Sequence, residues 1–129
     1  MIFLDTSAVV ALANRSDERH AEAIALFSSV RDPGEFATHN YVMVEAFALL
    51  HRRLGLRVAL RFEEGASAFE VVWVDRRLHE AAVRTLARKG TRRSSLVDEI
   101  SFLVMRERGI DTAFAFDPDF EREGFKTLG

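Results

Sequence analysis

A chain of 129 residues is about one domain long, and 48% apolar with 29% charged residues is a globular composition rather than a disordered one. The absence of cysteine excludes a disulfide scaffold, thiolate catalysis and any cysteine-held zinc or iron–sulfur cluster. No apolar run approaches a membrane span and no basic flank of a signal peptide precedes residue 2, so the expected location is the cytoplasm. The net charge of −2 does not announce a nucleic-acid partner, but it averages over an uneven distribution. Residues 1–51 hold seven acids and three bases, and 94–129 hold eight acids and four bases. The stretch 76–93 carries seven bases against Glu80 alone. Sixteen of the 18 basic residues are arginine, which suits forked contacts with phosphate and equally reflects genomic base composition.

Residues 1–4 read as a buried strand ended by Asp5, with Thr6 or Ser7 capping a helix that runs to Asn14. Ser16 opens a second helix with Ala23, Ile24, Leu26 and Phe27 inward, and Asp32-Pro33-Gly34 stops it. Residues 36–38 form a brief strand. His39 or Asn40 then opens a long helix to about Leu54, ended by Gly55, and 57–66 read as another helix. Residues 71–74 are a continuous apolar run, the pattern of a strand covered on both faces, with Trp73 in the core. Asp75 caps a helix to Lys89, terminated by Gly90, with Leu78, Ala82 and Leu86 as its buried stripe. Ser95 or Ser94 opens a helix to Arg108, stopped by Gly109; strands follow at 112–116 and 125–128. Strands alternating with helices predict one α/β domain: a three-layer sandwich around a mostly parallel sheet of 4–5 strands.

Four acids stand out. In a parallel sheet, chemistry collects beyond the carboxyl ends of the strands, where Asp5 and Asp117 both fall. Each also has a purely structural reading: Asp5 as a helix cap, Asp117-Pro118 as a cap followed by proline. Asp98 fits a capping box with Ser95, yet shares its helix face with the apolar Phe102 and Met105. Glu45 is the only polar residue between Tyr41 and Leu50; mid-helix, it caps nothing, and such a carboxylate needs a cation, a proton or hydrogen bonds to be buried. If the four meet, an all-oxygen set with no cysteine and no paired histidine selects a hard cation, Mg²⁺ or Mn²⁺. His20, His39, His51 and His79 lack metal-ligand spacing and are expected at the surface or its boundary.

Ile2-Phe3-Leu4-Asp5-Thr6-Ser7, Asn40-Tyr41-Val42-Met43-Val44-Glu45, Ser95-Leu96-Val97-Asp98 and Phe116-Asp117-Pro118-Asp119-Phe120, in this order and spacing, resemble a PIN-domain ribonuclease of the VapC toxin type. The resemblance covers essentially the whole chain. It implies metal-dependent endonucleolytic cleavage of RNA to 5′-phosphate and 3′-hydroxyl ends, using one or two Mg²⁺ or Mn²⁺ ions. Asp5, Glu45 and Asp98 map onto the core metal ligands, and Asp117 completes the set directly or through water. The family's hydroxyl near the first acid maps onto Thr6 or Ser7, with Ser7 favoured. Asn40 and Ser95 occupy positions where relatives place supporting polar residues. Asp119 stands two residues past the fourth acid, where relatives vary. A cognate VapB-like antitoxin and a homodimer are the implied partners, with apolar helix surfaces around residues 41–67 as candidate contacts.

Two basic groups are candidates for tracking RNA phosphates: Arg53, Arg57 and Arg61, and the group around Arg92 and Arg93, favoured because it precedes the Ser95–Asp98 motif. Two rivals remain at this level: a PIN-like scaffold that binds without cutting, and a phosphoacceptor receiver domain. The second fits poorly, having one acid at position 5 instead of a pair and only Lys89 and Lys126 as lysines.

Overall fold

In a computed structural model, residues 1–128 are described. They form β1 (Ile2–Leu4), α1 (Thr6–Ala13), α2 (His20–Ser29), β2 (Phe36–His39), α3 (Asn40–Leu54), α4 (Leu56–Gly65), β3 (Glu70–Val72), α5 (Arg76–Lys89), α6 (Leu96–Arg108), β4 (Thr112–Phe114), α7 (Asp119–Arg122) and β5 (Lys126–Leu128). Short 3-10 turns at Pro33–Glu35 and Ala66–Ala68 lead into β2 and β3. All four strand pairings are parallel, in the order β3-β2-β1-β4-β5.

Successive strand residues point to opposite faces of a sheet, and the core divides accordingly. Leu4, Phe36 and Phe114 pack on one face with Ala8, Val9 and Leu50 of α1 and α3. Phe3, Ala37 and Ala113 pack on the other with Phe102, Met105 and Phe120 of α6 and α7. Leu78 and Ala82 join α5 to Ile100 and Val104 of α6. The three-layer sandwich expected from the alternation of strands and helices is therefore the one found. Going outward from β1, the chain runs through β2 and β3 on one side and β4 and β5 on the other. Such a reversal opens a crevice at the carboxyl ends of β1 and β4, the two strands that precede Asp5 and Asp117.

Several local expectations are corrected. Asp5, rather than Thr6 or Ser7, caps α1, accepting the Ser7 N–H at 3.1 Å. The second helix begins at His20, because Asn14 and Asp17 side chains accept the N–H groups of Ser16 and Arg19 and hold residues 14–19 in turns. Ile24 is exposed rather than inward. The run 71–74 is not a covered central strand: β3 is a sheet edge, the ladder ends at Val72, and Trp73 is 72% exposed. The chain leaves the sheet there because the Val74 N–H donates to Asn40 Oδ1 at 2.6 Å. His39 is not at the surface; it is fully buried and caps α3 through Nδ1, which accepts the Val42 N–H.

Candidate metal centre

Asp5, Glu45, Asp98 and Asp117 all line one open pocket of about 610 Å³ at the carboxyl edge of the sheet. Asp5 leaves β1 as its N–H donates to the Phe114 carbonyl, which fixes its place beside β4. Ser7 Oγ donates to Asp5 Oδ2 at 2.6 Å and accepts the Phe116 N–H at 2.9 Å, so one hydroxyl ties the first acid to the segment bearing the last. Asp98 and Ser95 form the reciprocal capping box of α6: Ser95 Oγ accepts the Asp98 N–H, and Asp98 Oδ2 accepts the Ser95 N–H. Asp117 Oδ1 accepts the Asp119 N–H at 2.9 Å. The structural and functional readings of these acids are thus compatible, since each carboxylate keeps oxygen lone pairs beyond its local bond.

The electrostatics record the convergence. Burial pushes the Asp5 carboxyl up to about 6, against the Ser7 hydrogen bonds, and the charges of Asp98 and Asp117 add to the rise. Burial likewise pushes Asp98 up to about 6, against its bonds to Ser95, with further contributions from Asp117 and Glu45. The acids repel one another in a partly desolvated pocket, a penalty that a bound cation relieves. The closest grouping is Asp98, Asp117 and Asp119, whose carboxylate oxygens lie within 4.8 Å of one another and can hold a metal ion. Asp5 and Glu45 face the same pocket without joining that grouping. An all-carboxylate donor set fits a hard divalent cation. Asp119 is also held by Arg122, which donates to its Oδ1 at 2.6 Å.

Of the other anticipated residues, Thr6, Ser7 and Ser95 line the pocket, and the Thr6 hydroxyl is buried without a partner among the described residues. Asn40 does not line it, its amide being engaged with Val74. Arg92 and Arg93 are exposed on the 90–95 loop, also off the pocket. Arg53, from the other anticipated basic group, lines it without Arg57 and Arg61, and so does Arg19, which the sequence does not single out. Arg53 follows Glu45 and Leu49 at four-residue intervals on α3, and this helical stripe brings it to the pocket. Arg19 lies in the turn before α2, a segment read from the sequence as helix.

The PIN domain pattern matches residues 2–126. The 23S rRNA-specific endonuclease VapC20 of Mycobacterium tuberculosis is 42% identical over 127 residues, 97% of this chain and 95% of that protein. The crystal structure of M. tuberculosis VapC20, described as a sarcin–ricin loop cleaving toxin, matches with a TM-score of 0.86 at 40% identity, covering 97% of this chain and 96% of that one. FitAcB from Neisseria gonorrhoeae shares the fold alone, with a TM-score of 0.71 at 12% identity over 100% of this chain and 97% of its own. The chain belongs to the PIN-domain family and, within it, to the VapC group.

Proposed function

We propose that this protein is a divalent-metal-dependent endoribonuclease and the toxin of a VapBC-type pair, cutting 23S rRNA in its sarcin–ricin loop to leave 5′-phosphate and 3′-hydroxyl ends. The observation that carries this reading is the meeting of Asp5, Glu45, Asp98 and Asp117 in one pocket, in a chain 42% identical to an rRNA-specific endonuclease. In this reading Asp5, Glu45 and Asp98 hold Mg²⁺ or Mn²⁺, one or two ions, and Asp117 completes the set directly or through water. When bound, the metal supplies water activation and charge neutralisation at the scissile phosphate. The chain supplies position. Ser7 holds Asp5 in one orientation, Ser95 holds Asp98, and the half-buried α3 wall keeps Glu45 turned to the pocket.

The same reading assigns a cognate VapB-like antitoxin to an apolar groove of about 900 Å³ lined by Leu12, Ile24, Phe27, Leu54, Phe62 and Phe69. It assigns a second copy of the chain to the exposed Val44, Leu56 and Leu60 of α3 and α4, within the 41–67 region. No described helix is long and apolar enough to cross a membrane, and the reading places the protein in the cytoplasm.

Purified protein free of antitoxin, incubated with a 23S rRNA fragment and Mg²⁺ or Mn²⁺, tests the proposal. A discrete cut abolished by chelator and by Asp5→Asn, with ends mapped by sequencing, is the expected result. Intact RNA in the presence of bound metal makes the chain a binding module without nuclease activity.

A further inference from the structure

Six acids line the pocket against two bases, Arg19 and Arg53. RNA is a polyanion, so a wall this acidic repels it everywhere except at the metal and at those two side chains. Their surroundings differ. Arg53 sits eight residues after Glu45 on α3, about 12 Å along the axis at 1.5 Å per residue, with Leu49 between them. It is exposed and makes no hydrogen bond or ion pair to any described residue, leaving all five of its N–H donors free. Arg19 is braced: its backbone N–H donates to Asp17 Oδ1, its guanidinium lies 5.1 Å over the ring of Phe116, and one nitrogen reaches Glu22 at 3.4 Å. Phe116 lines the pocket next to Asp117, and its own N–H is held by Ser7. The Arg19–Phe116 stack is therefore anchored to the residues that carry the acids.

Unstacked RNA bases are taken up on aromatic rings and on guanidinium planes, while phosphates are taken by arginine forks. We infer that Arg53 and the Arg19–Phe116 stack form the substrate-gripping rim of this pocket. Arg53 binds a phosphate flanking the scissile one, and Arg19, backed by Phe116, carries an unstacked base. The inference rests on the ribonuclease reading and replaces Arg92 and Arg93 as the principal RNA contacts, since neither faces the pocket.

The test separates binding from cutting. In an Asp5→Asn background, a fluorescein-labelled RNA stem-loop is titrated by anisotropy at several salt concentrations, with Arg53→Ala, Arg19→Ala, Arg19→Lys and the control Arg76→Ala. Arg53→Ala is expected to weaken binding five- to tenfold at low salt and to lower the slope of log affinity against log salt by about one. Arg19→Ala is expected to weaken it by a similar factor. Arg19→Lys keeps the charge but not the plane, and is expected to restore the salt slope without restoring affinity. Affinity and salt slope unchanged in both Arg53→Ala and Arg19→Ala overturn the inference. Full rescue by Arg19→Lys overturns the stacking role. If the protein with intact Asp5 and metal leaves RNA uncut while Arg53→Ala still weakens binding, the nuclease reading fails and the rim stands.

Discussion

His39 Nε2 and Ser101 Oγ lie 2.8 Å apart in the buried core, joining the segment that opens the Glu45 helix to the helix that carries Asp98. The proton order follows from the partners. His39 Nδ1 accepts the Val42 N–H, so the ring proton is on Nε2 and is donated to Ser101, whose hydroxyl donates onward to the Val97 carbonyl at 2.9 Å. Ser101→Ala is expected to strand a buried N–H and to cost about 1–3 kcal/mol in urea unfolding. It is also expected to raise the Mn²⁺ concentration needed for half-maximal cleavage, because two of the acids lose their spacer. An unchanged metal midpoint restricts the pair to stability.

Replacing Asp5 by Asn keeps an oxygen to accept the Ser7 N–H at the α1 cap but removes a buried charge repelled by Asp98 and Asp117. Without metal at pH 7, Asp5→Asn is expected to be more stable than the parent by about 1–3 kcal/mol, given that each pKa unit is worth about 1.4 kcal/mol. It is also expected to be inactive. Calorimetry in chelator checks it, and a lower melting temperature contradicts the electrostatic account.

Acid sensitivity should have two opposing parts. Burial pushes His39 from 6.5 down to about 3, so the unfolded chain takes up a proton that the fold refuses; this term makes stability fall as pH drops from about 6.5 toward 3. Asp5 and Asp98, raised from 3.8 to about 6, bind protons in the fold that the unfolded chain has released. Their term makes stability fall as pH rises from about 4 to 6. The two carboxyls outweigh the one imidazole, so metal-free protein is expected to lose stability as pH rises from about 4 to 6, by at most about 1.4 kcal/mol per pH unit. The double variant Asp5→Asn, Asp98→Asn should expose the His39 slope, with stability rising with pH across that window. Urea midpoints at a series of pH values report both slopes, and equal slopes in the two proteins contradict the assignment.

Glu99, next to Asp98, is 1% exposed and is held by Lys89 Nζ at 2.9 Å from each carboxylate oxygen and by Ser94 Oγ at 2.7 Å. Lys89→Met is expected to leave that carboxylate buried with only a hydroxyl partner, costing about 3 kcal/mol. Adding Glu99→Gln should recover most of the loss. A double-mutant cycle in urea measures the coupling, and additive losses exclude it.

Much of the pocket's acidic lining is legible in the sequence. A short apolar strand that stops at an acid, and one glutamate inside an otherwise apolar helix, are local patterns with few explanations, and both residues face the pocket. What was not readable depends on partners distant in sequence. His39 looked like a boundary histidine because Ser101, 62 positions away, makes its burial tolerable. Trp73 reads as core because its apolar run suggests a strand with neighbours on both sides, but among the described residues β3 has no strand beyond it. Asn40 looked like a supporting residue of the site, but its amide is spent on Val74. Nearness to the Ser95–Asp98 motif along the chain favours Arg92 and Arg93 over the Arg53 group, whereas helical geometry brings Arg53 to the pocket. The sequence leaves the part of Asp119 open because its approach to Asp98 depends on how α7 turns after β4.

The central strand pairs residues 110 positions apart, Phe3 with Ala113, and Asp117 follows that pairing. During synthesis, β1 emerges before β4 and waits for it, so the cleft between them closes only after the segment leading to Asp117 has been made. A fragment released early has Asp5 and Glu45 but neither of the later acids. For a protein proposed to attack ribosomal RNA, that order of assembly delays activity until the last of the four acids has been made.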